Sequence, residues 1–180
     1  MLVVENSLLV VIDVQGKLAQ SMSEKELMFE SLHKIINGTQ LLEIPILLTE
    51  QNPEGLGPTL PGIAQLLTDV KPIAKFCFSC CGSEEFTQKL ALANRRQILL
   101  AGIESHVCVY QTARDLLDLM GYEVHIVTDA VSSRTIHNKE IGLARMKEEG
   151  AILTSAEMAL FELMRVAEGE QFKKLIKIVK

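Results

Sequence analysis

The chain is 180 residues long, 48% hydrophobic and 23% charged, a composition that excludes disordered, collagen-like and low-complexity scaffolds. Eighteen basic residues against twenty-three acidic ones give a net charge of −5, which argues against a nucleic-acid partner, because phosphate binding needs a concentrated basic face. No apolar run approaches the roughly 18 residues of a membrane span, the opening Met1-Leu2-Val3-Val4-Glu5 lacks the basic start of a secretory signal, and four cysteines, three of them at Cys77, Cys80 and Cys81, do not form a disulfide framework.

The predicted elements alternate between short strands and longer helices. Residues 8–12 (LLVVI) are an unbroken apolar run, the mark of a strand buried on both faces. In 24–42, Leu27, Leu32, Ile35, Ile36 and Leu42 gather on one side of a helix. A second strand covers 44–49, with Pro45 at its start where a missing N–H does least harm. Residues 50–61 read as a loop, 63–67 as a short helix and 72–78 as extended chain. A helix over 83–94 has Ser83 as its N-cap and Glu84 and Glu85 in its first turn. Residues 97–101 form a strand, 102–105 a turn, and 106–120 a helix stopped by Gly121. A strand over 123–128, a helix over 138–149, a strand over 151–154 and a helix over 156–166 complete the alternation. This rhythm predicts one α/β domain over 1–180, built from βαβ units on a mostly parallel sheet of five or six strands.

Residues 167–180 form a basic amphipathic helix. Phe172, Leu175, Ile176 and Val179 share a face and are interleaved with Lys173, Lys174, Lys177 and Lys180. The pattern suits a terminal helix packed on its own domain or on a second subunit better than one lying on an anionic membrane.

In an open parallel sheet, ligands bind beyond the carboxyl ends of the strands. The polar residues there are Asp13 after the first strand, Thr49-Glu50-Gln51 after the second, Glu104 after 97–101, and Thr128-Asp129 after the fourth; the last two residues read as supports of the fold. Lys75 stands alone among Ile73, Ala74, Phe76 and Phe78. Cys108 falls in the first turn of its helix, where unpaired N–H groups and the dipole favour a thiolate and could hold an oxyanion. Position alone also fits a small buried hydrophobe at Cys108, a helix cap at Asp13 and a surface lysine at Lys75.

Two further patterns carry less. Gly55-Leu-Gly57-Pro-Thr-Leu-Pro61-Gly62 is neither GxGxxG nor a Walker loop. Cys77-Phe-Ser-Cys80-Cys81 contains a CxxC spacing, but the histidines (His33, His106, His125, His137) supply no second ligand pair for zinc. Dithiol redox chemistry is the remaining use of that cluster.

The segments Leu8-Leu-Val-Val-Ile-Asp13-Val-Gln15, Lys75-Phe-Cys-Phe-Ser79, Ala101-Gly-Ile-Glu-Ser-His-Val-Cys108-Val-Tyr-Gln-Thr112-Ala and Gly121-Tyr-Glu-Val-His-Ile-Val-Thr-Asp129-Ala-Val-Ser-Ser133-Arg134 together resemble the isochorismatase-like cysteine hydrolases over residues 6–165. The resemblance implies a three-layer α/β/α domain with a Rossmann-like six-stranded sheet. It implies a catalytic triad of Asp13, Lys75 and Cys108, a cis peptide between Ile103 and Glu104, and an oxyanion hole of the Glu104 and Cys108 N–H groups. Gln15, Gln51, Phe76 and Ile103 are then expected on the substrate pocket, with walls from 50–61 and 132–137.

Departures from the family's branches narrow this further. Nicotinamidases of the family bind a divalent metal through an aspartate and histidines after the second strand, whereas this chain has no histidine between His33 and His106. No metal and no other cofactor is expected. The family's true isochorismatases lack the cysteine, so Cys108 directs the reading to small amide or related acyl substrates hydrolysed through a thioester. The alternatives are a catalytically silent binding or scaffold protein on the same fold and a thiol-redox protein. Family members associate, which implies a homo-oligomer, with Met120, Met146 and the C-terminal helix as candidate apolar surface. A cytoplasmic location with no nucleic-acid or membrane partner completes the expectation.

Overall fold

A computed structural model describes residues 1–118 and 121–180. Its six strands are β1 (Ser7–Ile12), β2 (Ile46–Gln51), β3 (Ile73–Lys75), β4 (Gln97–Ile103), β5 (Glu123–Ser132) and β6 (Ile152–Thr154). All pair in parallel, in the order β3-β2-β1-β4-β5-β6. The chain winds outward from β1 through β2 to β3, then crosses back to lay β4 on the other side of β1. That reversal opens a crevice between the carboxyl ends of β1 and β4, where ligands of such sheets bind.

Helices cover both faces. On one side lie α1 (Gly16–Gln20), α2 (Lys25–Leu41) and α4 (Pro61–Ala64), with α3 (Pro53–Leu56) nearby; α5 (Glu84–Ala93), α6 (Tyr110–Asp118) and α7 (Ile136–Glu148) lie on the other. The first side is completed by α8 (Ala156–Met164) and α9 (Gly169–Val179). Strand residues divide accordingly. Leu9, Val11, Leu99, Ala101 and Ile103 enter the core under α2 and α8, and Leu8, Val10, Ile12, Ile98 and Leu100 enter the core under α5 and α6. Burial on both faces is why β1 and β4 read as continuous apolar runs instead of alternating ones.

The cap expected at Ser83 is in place: it accepts from Phe86 N at 3.4 Å and holds the start of α5. Thr135 and Ser155 do the same for α7 and α8, accepting from Asn138 N at 3.2 Å and Met158 N at 3.1 Å. Elsewhere the boundaries differ. β2 starts after Pro45, whose carbonyl accepts from Leu9 N at 3.0 Å. The short helix over 61–64 precedes the expected 63–67, because Pro61 preorganises its first turn. β5 runs to Ser132 through an irregularity after Ile126 that shifts its register against β4, so the polar Thr128-Asp129 pair lies inside the strand. There Thr128 Oγ1 donates to Thr154 O at 2.8 Å, and Asp129 accepts from Ala156 N at 2.9 Å and Ser31 Oγ at 3.1 Å. Both residues tie elements together.

Two of the surfaces expected to mediate association are occupied within the chain. Met146 of α7 is 1% exposed and packs into the core on the α5 and α6 side, and Leu175 and Val179 of α9 belong to the core against α2 and α8. Met120, the expected end of the helix that includes α6, lies outside the described residues. Among the described residues no helix is long and apolar enough to cross a membrane.

Candidate active site

Asp13 follows directly on β1 and is 1% exposed. Its φ of 54° turns the chain away from the strand, in a region that aspartate tolerates better than most residues. Asp13 does not cap a helix: Gln15 is the residue before α1. Thr49, beside it on β2, donates to Oδ1 at 2.7 Å, and Lys75 donates to Oδ2 at 2.7 Å. Lys75 comes from β3, two strands away from β1. With strands about 4.8 Å apart, only a long side chain crosses β2 to reach that carboxylate, which is the physical use of a lysine here.

The Lys75 ammonium is encircled. Besides Asp13 it lies 2.7 Å from Gln51 Oε1, 3.2 Å from Cys77 O and 3.1 Å from Phe78 O. Burial opposes its charge, but the Asp13 carboxylate together with Cys80 and Cys108 outweighs that, and its pKa is raised. Lys75 is thus a buried, permanent cation and not a surface lysine.

Cys108 enters from the other side of the crevice. β4 ends at Gly102-Ile103, and the Ile103–Glu104 peptide is cis. A Cβ on Gly102, whose φ is 113°, would run into the Ile12 carbonyl, so glycine lets β4 close on β1 just below the site. Ser105–Val109 then forms a π-helical turn leading into α6, an irregularity that often accompanies functional sites. Glu104 O accepts from Val107 N at 3.0 Å and Val109 N at 3.2 Å. Asp13 and Cys108 both line a cavity of about 110 Å³, together with Gln51, Ile103 and Glu104. Its apolar wall is Leu18, Leu56, Phe78 and Val107.

The thiol itself departs from expectation. A helix N-terminus favours thiolate, but burial and then the neighbouring Asp13 charge push the Cys108 pKa up, with Lys75 pulling the other way. Desolvation is the largest of these influences on a residue only 6% exposed. Cys108 is therefore a protonated thiol beside a carboxylate.

Of the four expected pocket residues, Gln51 and Ile103 line the cavity and Gln15 and Phe76 do not. Gln15 is fully buried as a strut: its Nε2 donates to Gly57 O at 2.6 Å and Gln51 O at 3.1 Å, while its Oε1 accepts from Gln51 N at 2.7 Å. Phe76 is 74% exposed, and Phe78, two residues on, takes the wall position instead. The 50–61 loop contributes Gln51 and Leu56, whereas 132–137 supports from behind: Arg134 binds Glu104 Oε2 through its backbone N at 2.9 Å and Nε at 3.2 Å. In the sequence Thr49 shows only as a polar strand end; its pairing with Ile12 across β1 and β2 is what sets it against Asp13.

In the Cys77, Cys80 and Cys81 cluster, Cys80 is buried and the other two are half-buried. All four cysteines are free. Burial holds the Cys80 thiol up at about 11 and the Cys81 thiol at about 12, leaving neither as a thiolate near neutrality. Among the described residues no three His, Cys, Asp or Glu side chains are grouped to hold a metal ion.

Residues 7–158 match the Isochorismatase domain. Isochorismatase domain-containing protein 2A of Mus musculus is 38% identical over 178 residues, covering 98% of this chain and 84% of that protein. Among solved structures, MAR1 ribonuclease from Caenorhabditis elegans is 35% identical with a TM-score of 0.91, covering 99% of this chain and 91% of that one. The YcaC gene product from Escherichia coli, described as an octameric hydrolase of unknown specificity, shares the fold at a TM-score of 0.92 and 21% identity over 98% of this chain and 89% of its own. With the domain matched over most of its length and a relative so similar from end to end, the chain belongs to the isochorismatase-like hydrolase family.

Proposed function

We propose that the protein is a cysteine-dependent hydrolase that cleaves the C–N bond of a small amide, or a related acyl bond, through a thioester on Cys108. The observation that carries this reading is the sharing of one cavity by the Cys108 thiol and a carboxylate, Asp13, whose two oxygens are already fixed by Thr49 and Lys75.

Because the thiol is protonated at rest, attack and proton transfer go together. The Cys108 sulfur bonds to the substrate carbonyl carbon as its proton passes to Asp13. The carbonyl oxygen takes the electron pair and is held by the backbone N–H groups of Glu104 and Cys108, each such donor typically contributing about 3 kcal/mol. Collapse of the tetrahedral intermediate breaks the C–N bond, and the proton on Asp13 goes to the departing amine. Asp13 then takes a proton from water as the hydroxyl attacks the thioester, and returns it to sulfur as the C–S bond breaks. Lys75 stays charged throughout and orients the carboxylate. No step calls for a cofactor.

The E. coli neighbour's description as an octamer supports a homo-oligomer here. A ribonuclease, as the C. elegans neighbour is named, acts on a polyanion. The net charge of −5 and the absence of any Lys, Arg or His among the described cavity residues favour a small molecule. Screening small primary amides against wild type and Cys108→Ala tests the proposal. Turnover lost by about 10³-fold or more in the variant supports covalent catalysis, and unchanged turnover defeats it.

A further inference from the structure

We infer that the site accepts an uncharged acyl group with a short apolar substituent and rejects anionic acyl groups. The inference rests on the reading of Cys108 as nucleophile and adds the class of substrate.

Polar side chains on the cavity wall are already engaged with the protein. Asp13 spends Oδ1 on Thr49 and Oδ2 on Lys75. Gln51 accepts from Lys75 through Oε1 and donates to Phe76 O through Nε2 at 2.8 Å. Glu104 holds Arg134 through Oε2. What faces the remaining space is Leu18, Leu56, Phe78, Ile103 and Val107.

The charges point the same way. The cavity wall carries two carboxylates, Asp13 and Glu104, and among the described residues no arginine, lysine or histidine. The one ammonium nearby, Lys75, has a fully shielded side chain turned onto four oxygens. Arg134 is committed to Glu104 and its side chain is 60% exposed on the outer side of that pair. A substrate carboxylate entering this space would leave water and gain no unpaired cation, because Lys75 and Arg134 are already committed to Asp13 and Glu104. A neutral carbonyl asks only for backbone N–H groups, and an alkyl remainder gains from burial against five apolar side chains. The volume of about 110 Å³ suits a small acyl group. Isochorismate itself, with two carboxylates, fits poorly by the same argument.

The test uses matched pairs differing in charge. Iodoacetamide and iodoacetate are nearly equal in size, so their rates on Cys108 of the intact wild-type protein, followed on the Cys108 peptide by mass spectrometry, are each divided by the reagent's rate on a small free thiol. Butanamide and its carboxylated analogue succinamate form the substrate pair. The inference predicts that the neutral member is favoured by roughly a hundredfold in both pairs, the scale on which pockets discriminate by lost contacts. Equal normalised labelling and equal kcat/KM within each pair overturn the substrate class while leaving the cysteine mechanism standing. Failure of both reagents to label Cys108, with butanamide hydrolysis intact in Cys108→Ala, removes the mechanism and the inference together.

Discussion

The Lys75 ammonium sits 2.7 Å from Asp13 Oδ2, and neither side chain is more than 2% exposed. A buried ion pair of this kind stabilises little over an apolar pair, but losing one partner strands a charge. Lys75→Met is expected to cost about 3–5 kcal/mol in urea unfolding and to abolish hydrolysis. The double variant Lys75→Met/Asp13→Asn should recover part of that stability without recovering activity. A double variant no more stable than Lys75→Met would mean that the two groups are not energetically coupled.

Thr49 is the second holder of the same carboxylate. Replacing it with valine leaves the shape and removes the donor to Asp13 Oδ1, as well as the acceptor 3.8 Å from the Cys80 sulfur. Thr49→Val should lower stability by about 1–3 kcal/mol, the cost of a buried group losing its partner, and should reduce kcat more than it raises KM. Thr49→Ser keeps the hydroxyl and is expected to retain most of both properties.

The buried thiols make the fold sensitive to alkali. Cys80, Cys81 and Cys108 all have raised pKa values, Cys80 to about 11 and Cys81 to about 12, whereas an unfolded cysteine ionises near 8.5. Their contribution is complete below that value. Above it the unfolded chain releases protons that the folded one retains, so stability falls as pH rises toward the folded values, by about 1.4 kcal/mol per pH unit for each thiol. Lys75 acts in the same direction but only above about 10.4, since its pKa is also raised. Denaturant midpoints from pH 8 to 10 should therefore decline, and decline less steeply in Cys80→Ala. A flat profile would contradict the raised pKa values of these thiols.

Much of this arrangement was legible in the sequence, for identifiable reasons. β1 and β4 announce themselves because both faces are buried, and α5 because Ser83 caps it and two glutamates follow in its first turn. α1 and α3 were missed: each is a single short turn of helix, with no periodicity to detect. β3 is only three residues long, too short for alternation to register. At the site, the strand-end rule and the family resemblance named Asp13, Lys75 and Cys108. The sequence could not reveal that Phe78 and not Phe76 faces the cavity, because that depends on how the chain wraps the Lys75 ammonium with the Cys77 and Phe78 carbonyls. Nor could it show how deeply Cys108 is buried, and burial is what raises that thiol's pKa.

Packing behind the nucleophile turn offers another test. A Cβ on Gly142 of α7 would lie 2.8 Å from Ser105 O and 3.0 Å from His106 N, backbone atoms that cannot swing aside. Gly142→Ala is expected to destabilise by about 1–3 kcal/mol through overpacking and to lower kcat by displacing the turn that carries Cys108. Full activity in this variant, measured alongside its thermal midpoint, would show that the turn tolerates movement.

The most direct measurement is the mass of the enzyme during turnover. Acid quenching of wild-type protein with a slowly hydrolysed small amide or activated ester should reveal an acyl adduct, and peptide mapping should place it on Cys108, with hydroxylamine removing it as expected for a thioester. An adduct on another residue, or steady hydrolysis by Cys108→Ala at the wild-type rate, would contradict the proposed chemistry.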